Sequence, residues 1–374
     1  MDKENLRKAI ELRHQLHMYP ELSEHEYKTK ETLMSFLKEN TSLKVVDRGL
    51  WFYAKYESPS ATLPSLALRA DFDAIKVFED NSLPYASKKP GVAHKCGHDG
   101  HSSALCAYAL DLDASGADRD IYLIFQHAEE VGSGAKECAK LIGEEDISEV
   151  YGVHNYPGKP FGTICTCHGT VNFASVGVEY TLTGTPTHAS TPELGRNPAK
   201  AVARMILAID EITASQKPKG VLLATVIQVD LGERAFGVSA SHAKLLLTVR
   251  GEFGNEMDAF IEALNNAAGE FCHEDGLDLN VEYFERFPDT YNHSAAVDKI
   301  MKICNENNIE YEEMPPLRTS EDFGEYTVKA PGALIWLGAG ENWPPLHDKS
   351  FDYNDALIEE TSELFKLIAT APGL

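Results

Sequence analysis

The stretch His94-Lys95-Cys96-Gly97-His98-Asp99-Gly100-His101 packs three imidazoles, a thiol and a carboxylate into eight positions. A thiolate and an imidazole two residues apart in a loop can meet one cation or a close pair of them. The glycine between them permits an unusual backbone turn. Asp99 is expected to stand behind a ligand and accept an imidazole N–H. Downstream, Glu129-Glu130 follow the apolar run Ile121 to Phe125. Ligands and catalytic groups in open α/β sheets gather at the carboxyl ends of strands. Neighbouring residues in extended chain point to opposite sides, so one glutamate can bind metal while the other reaches a metal-bound water. His154 ends the apolar run in "VYGVHNYPG", and His347 lies in the proline-framed "WPPLHDKSFDYND". Taken singly, each also reads as a surface or capping histidine.

Two competing clusters carry less. "CTCH", Cys165 to His168, has metal-like content, but the surrounding alternation reads as a strand with both thiols packed on one face. A thiol hydrolase built on Cys96 with a histidine base would leave the paired glutamates without a task. No glycine-rich phosphate loop of the Walker or dinucleotide type is present.

These residues need a scaffold, and the chain has one to offer. Its 374 residues are 43% hydrophobic and suggest two or three domains. Amphipathic helices over "ENLRKAIELRHQLHMYP" and "YKTKETLMSFLKEN" precede short apolar runs alternating with helix-like segments, the grammar of an α/β layer with a buried sheet. From residue 176 the order becomes β-α-β-β-α-β, the ferredoxin-like unit. Its first helix is capped by Asn197 with Pro198 in the first turn and carries a stripe of Val202, Met205, Ile206 and Ile209. After Pro288 the α/β style resumes. The expected division is 1–174 and 289–374 for the α/β domain, with 175–288 inserted.

The net charge of −24 argues against nucleic acid or an anionic membrane as partner, and a small-molecule substrate fits better. No apolar run approaches the roughly 18 residues of a membrane helix, and the N-terminal stretch lacks the apolar core of a signal peptide. Seven scattered cysteines do not read as a disulfide framework, so a reducing cytoplasm is the simplest compartment.

"LRHQLHMYPELSEHEYKT", "LRADFDAI", "HKCGHDGH", "QHAEEVGSGA", "GTPTHAS", "SEDF" and "LHDKSFDYND" occur in an order that resembles the aminoacylase/carboxypeptidase-type metallopeptidases, best their amidohydrolase branch. The resemblance covers nearly the whole chain. It implies a catalytic α/β domain with a mostly parallel sheet flanked by helices, and an inserted ferredoxin-like lid domain that often mediates homodimers. It implies two divalent metal ions, zinc or manganese first and nickel or cobalt next, held by Cys96, His98, Glu130, His154 and His347 with Cys96 as the bridge. Glu129 would be the general acid/base, taking the proton of a metal-bound water that then attacks an amide carbonyl. His188, in "GTPTHAS", would stabilise the oxyanion, from this chain or a partner subunit. Relatives outside this branch carry a His-x-Asp ligand motif where this chain reads Arg69-Ala70-Asp71; His98 would supply the missing imidazole and Asp71 would orient it. The implied substrate is an N-acyl amino acid or a similar small amide. A dipeptide or aminopeptidase substrate is the near alternative, and a binding protein with an inactive site the distant one. Departures fall in the lid, at "ERAFGVSASH" and "GRNPA", and at "QHAEE" where relatives more often read Gln-Pro-Ala-Glu-Glu; they leave the metal set intact and bear on the substrate pocket. Arg196 or Arg250 could meet a substrate carboxylate, or serve in surface ion pairs.

Overall fold

The computed structural model describes residues 1–374. Contacts divide the chain into two units. The first comprises Met1–Val171, Thr290–Pro315 and Asp322–Leu374; the second comprises Asn172–Asp289 and Pro316–Glu321.

The first unit is built on an eight-stranded sheet in the order Lys44–Asp47, Phe52–Tyr56, Ile121–Gln126, Leu66–Asp71, Glu149–Pro157, Gly332–Gly340, Ile164–Thr166, Tyr311–Glu313. The four strands from Ile121–Gln126 to Gly332–Gly340 run parallel. Leu66–Asp71 and Ile121–Gln126 are buried along their whole length, which is why they read as continuous apolar runs rather than alternating ones. Helices Lys3–Met18, His98–Ser115 and Leu357–Thr370 pack together in the core that covers them.

Helix Lys3–Met18 starts where Asp2 accepts the Glu4 N–H at 2.9 Å. Its buried face carries Ala9, Leu12 and Leu16, as amphipathic spacing requires, but also Arg13 and His17, four apart on the same side. A guanidinium and an imidazole on a core-facing stripe must be partnered, and both lead to the site described below.

The second unit is a four-stranded antiparallel sheet in the order Asp278–Phe287, Ala174–Thr183, His242–Gly251, Leu222–Leu231, with helices Ala199–Gln216 and Gly254–Asp275. The β-α-β-β-α-β order and this strand order make it ferredoxin-like. The helix stripes meet the alternating strand residues in one apolar core, Val202, Met205 and Ile209 against Val176, Val178 and Tyr180. Asn197 accepts the Ala199 N–H at 2.9 Å, and the helix begins one residue later than Pro198 suggests. No helix of the chain is long and apolar enough to cross a membrane.

Candidate active site

The site lies at the carboxyl ends of the parallel strands in the first unit. Gly97 turns the chain there with φ 102, and helix His98–Ser115 starts immediately after it. A Cβ at Gly97 would stand 2.5 Å from Asn155 Oδ1 and 2.9 Å from the Tyr353 ring, so only glycine fits. The turn leaves Cys96 and His98 facing the same space.

Two donor groups share one thiol. Cys96, His98 and His154 bring ligand atoms within 4.8 Å of one another, and so do Cys96, Glu130 and His347. Cys96 Sγ lies 3.5 Å from His154 Nε2. Glu130 Oε1 lies 3.6 Å from His347 Nε2 and 3.7 Å from His98 Nε2. Glu129 Oε2 stands 3.8 Å from the same His98 nitrogen. All five residues expected to bind metal therefore converge. His98 Nε2 and Glu130 Oε1 are buried without a hydrogen-bond partner, though both point into this space. Buried polar atoms are otherwise almost always paired, and two divalent cations would satisfy these.

The protonation states point the same way. Burial pushes the Cys96 thiol well above its ordinary range, and Glu130, Glu129 and Asp71 push it further. A free thiolate nucleophile is disfavoured in such a place, whereas a cation would displace the proton. Burial opposes charge on His98, but Asp71 and Asp73 hold its proton to about 10, a positive charge that metal would replace. Burial, with His101 next, keeps His154 well below its ordinary value and hence neutral, as a ligand must be. The backbone oxygen of Asn155, 2.9 Å from His154 Nδ1, fixes the tautomer that presents Nε2.

Three expectations are corrected. Asp99 does not support His98: it lies 2.8 Å from His17 Nδ1 and 3.1 Å from Arg13 Nε. Successive helical residues are turned by about 100°, so Asp99 faces helix Lys3–Met18 while His98 faces the sheet. Asp71 is not the group that orients His98. Its oxygens are 2.7 Å from His101 Nδ1 and 2.6 Å from Arg69, against 3.9 Å from His98 Nε2. Asp73 does that work, with Oδ1 3.0 Å from His98 Nδ1 and Oδ2 accepting the Glu130 N–H at 3.0 Å. Nor do Glu129 and Glu130 diverge along an extended strand. They lie in a turn beyond it, and both carboxylates approach His98.

That turn has a support unforeseen from sequence. Ala128 sits at φ 48, and its N–H donates to Glu26 Oε1 at 2.8 Å. Burial, then the charge of Asp73, pushes the Glu26 carboxyl up to about 8. The only hint was its place at the end of "PELSEHE", the last residue of the connection before helix Tyr27–Asn40. Cys165 and Cys167 are buried among packed strands, and His168 turns outward to Asp298 at 3.0 Å. In the second unit, His188 is exposed and its Nδ1 meets Ser190 Oγ at 2.6 Å. Arg196 donates to the Gly276 carbonyl at 3.0 Å, and Arg250 to Ser320 Oγ at 2.8 Å.

The model of peptidase family M20/M25/M40 matches residues 67–371. An N-acetyldiaminopimelate deacetylase of Exiguobacterium sibiricum is 29% identical over 357 residues, 94% of this chain and 95% of that protein. An N-acetyl-L-cysteine deacetylase of Bacillus subtilis is 29% identical over 371 residues, 95% of this chain and 86% of that one. Among solved structures, the Bacillus subtilis YXEP protein, described as a dinuclear metal binding peptidase, superposes with a TM-score of 0.83 at 24% identity, covering 98% of each chain. The chain belongs to peptidase family M20/M25/M40 and is a hydrolase that acts on amide bonds.

Proposed function

We propose that the enzyme removes the acyl group from an N-acyl amino acid, with two divalent cations held by Cys96, His98, Glu130, His154 and His347. The observation that carries this reading is the single thiol of Cys96 standing in two donor groups at once. Bound there, the cations would acidify a water and polarise the scissile carbonyl. A shared thiolate suits zinc; the histidine and carboxylate set also accepts manganese, cobalt or nickel. Glu129 is the proton carrier of the site: it takes a proton from the attacking water and returns it to the leaving amine. His188 is assigned to the oxyanion, with Nδ1 engaged by Ser190 so that Nε2 is the donor. The deacetylase relatives support an acyl amino acid over a dipeptide.

A homodimer through the second unit belongs to the same reading. Strand Leu222–Leu231 is a sheet edge with Ile227, Val229 and Leu231 exposed, a row of unpaired backbone groups beside apolar side chains. Sedimentation that finds only monomer would remove this element.

Glu129→Gln tests the chemistry. It keeps the shape and loses the proton site, so kcat on an N-acetyl amino acid should fall by about 10²–10⁴ while two metals per chain remain. Activity equal to wild type sinks the role of Glu129. A thiol hydrolase would instead resist chelation, whereas this enzyme should lose turnover with chelator and regain it with Mn²⁺ or Zn²⁺.

A further inference from the structure

Among the five proposed ligands, His347 has the most exposed side chain, and no helix or strand carries it. It lies in the connection between strand Gly332–Gly340 and helix Leu357–Thr370, at φ 65, with its side chain 52% exposed. A non-glycine residue persists in that backbone region only when its surroundings fix it. Lys95, the neighbour of the shared thiol, is what fixes it. The Lys95 carbonyl accepts the His347 N–H at 2.7 Å. The Lys95 ammonium, fully buried, donates to the Phe351 carbonyl and to Glu79 Oε1, each at 2.6 Å. One residue thus holds the His347 connection at two points and joins it to the backbone of Cys96.

The buried ammonium is part of a chain of alternating charges. Glu79 also meets His17 Nε2 at 2.9 Å and accepts the Ser87 N–H at 2.6 Å. The other nitrogen of His17 meets Asp99, Asp99 meets Arg13, and Arg13 reaches Asp352 and, at 2.7 Å, Asp355. The chain begins at Phe351 and ends at Asp352 and Asp355, so both of its ends clasp the connection that carries His347. Asn81 adds a second donor to the Phe351 carbonyl at 3.0 Å.

We propose that Lys95, neutralised by Glu79, is the positioning residue for His347, and that this pair sets the affinity of the outer cation, at Cys96, Glu130 and His347, separately from that of the inner one. The inference rests on the two-cation reading above. Outer ligands placed by supporting hydrogen bonds typically lose 10–100-fold in metal affinity when the support goes.

The test is a Mn²⁺ titration of the full chain by calorimetry, with elemental analysis at fixed free Mn²⁺. Wild type should hold two ions. Lys95→Met should keep the inner ion at wild-type affinity and bind the outer one about tenfold or more weakly. Glu79→Gln, which preserves shape and loses only charge, should shift the outer site in the same direction by less. It decides the matter if Lys95→Met does not fold. Two ions at wild-type affinity in both variants would overturn the proposal, and so would equal weakening of both sites. A wild type that holds fewer than two ions would instead overturn the two-cation reading itself.

Discussion

The two walls of the metal-binding space are built differently. The inner wall, Cys96, His98 and His154, is buried: His98 opens a helix, His154 lies on a central parallel strand, and Cys96 sits in the bend two residues before the helix. The outer wall, Glu130 and His347, comes from a turn and a connection, with side chains 13% and 52% exposed. Sheet and helix place the inner ligands as part of folding the core. The outer ligands also lean on buried polar side chains: Asp73 and Glu26 under the glutamate turn, Lys95 under the His347 connection. On a rigid element a partner has only to orient the ring, as Asp73 does for His98; on a loop the partners must also hold the backbone.

The largest break should come from behind the inner wall. Arg69 contacts Asp71 at 2.6 Å and Asp322 at 2.9 Å, with all three almost fully buried. Burial would raise Asp71, but the charges of His98, Arg69 and His101 hold it well below the carboxylate range. Arg69→Met leaves two buried carboxylates without that counter-charge. Removing one partner of a buried pair costs about 3–5 kcal/mol, so the urea midpoint should drop steeply with m unchanged. A loss below about 1 kcal/mol would mean the network is better solvated than its burial indicates.

Asp73→Asn and His347→Ala sharpen the comparison from opposite sides. Asp73 touches one ligand of each group, so its loss should weaken both cations by about 10–100-fold. His347→Ala should remove only the outer ion. Because its side chain is half exposed, the metal-free fold should change by no more than about 0.5 kcal/mol. Metal content by elemental analysis, with thermal melts of the metal-free chains, separates the two. Selective loss of the inner ion in His347→Ala would contradict the grouping.

The same contrast explains what was readable in sequence. Cys96, His98 and the paired glutamates announce themselves because donor types cluster within a few residues, and the ferredoxin-like unit announces itself through period-2 and period-3.6 patterns. The supports do not. Arg13 with Asp99, His17 with Glu79, and Lys95 with Phe351 are separated by 86, 62 and 256 positions, and nothing local marks them. Arg13 and His17 gave one usable signal, polar residues on the apolar stripe of a helix. Asp99 misled because sequence adjacency to His98 is angular separation on a helix.

The smallest effect expected is a pH dependence of the buried chain behind the outer wall. Burial disfavours charge on His17, yet Asp99 and Glu79 hold its proton to about 9, against about 6.5 when unfolded. A group raised in the folded state stabilises fully below its unfolded value, so this contribution is complete below about pH 6.5 and fades as pH rises to 9. Burial would raise Glu79, but His17, Lys95 and the Ser87 N–H bring it down to about 2. A group lowered in the folded state stabilises fully above its unfolded value, here about 4.5, and the contribution fades as pH falls towards 2. The two are complete together only between about pH 4.5 and 6.5. Melting temperature of the metal-free protein should therefore decline on both sides of that window. His17→Gln should shrink the alkaline limb most and the acid limb less, because Lys95 and the Ser87 N–H still hold Glu79 down; Glu79→Gln should shrink the acid limb most and the alkaline limb less, because Asp99 still holds the His17 proton. If both variants keep both limbs undiminished, other groups govern the pH response and the charge chain clasps the His347 connection without setting its stability.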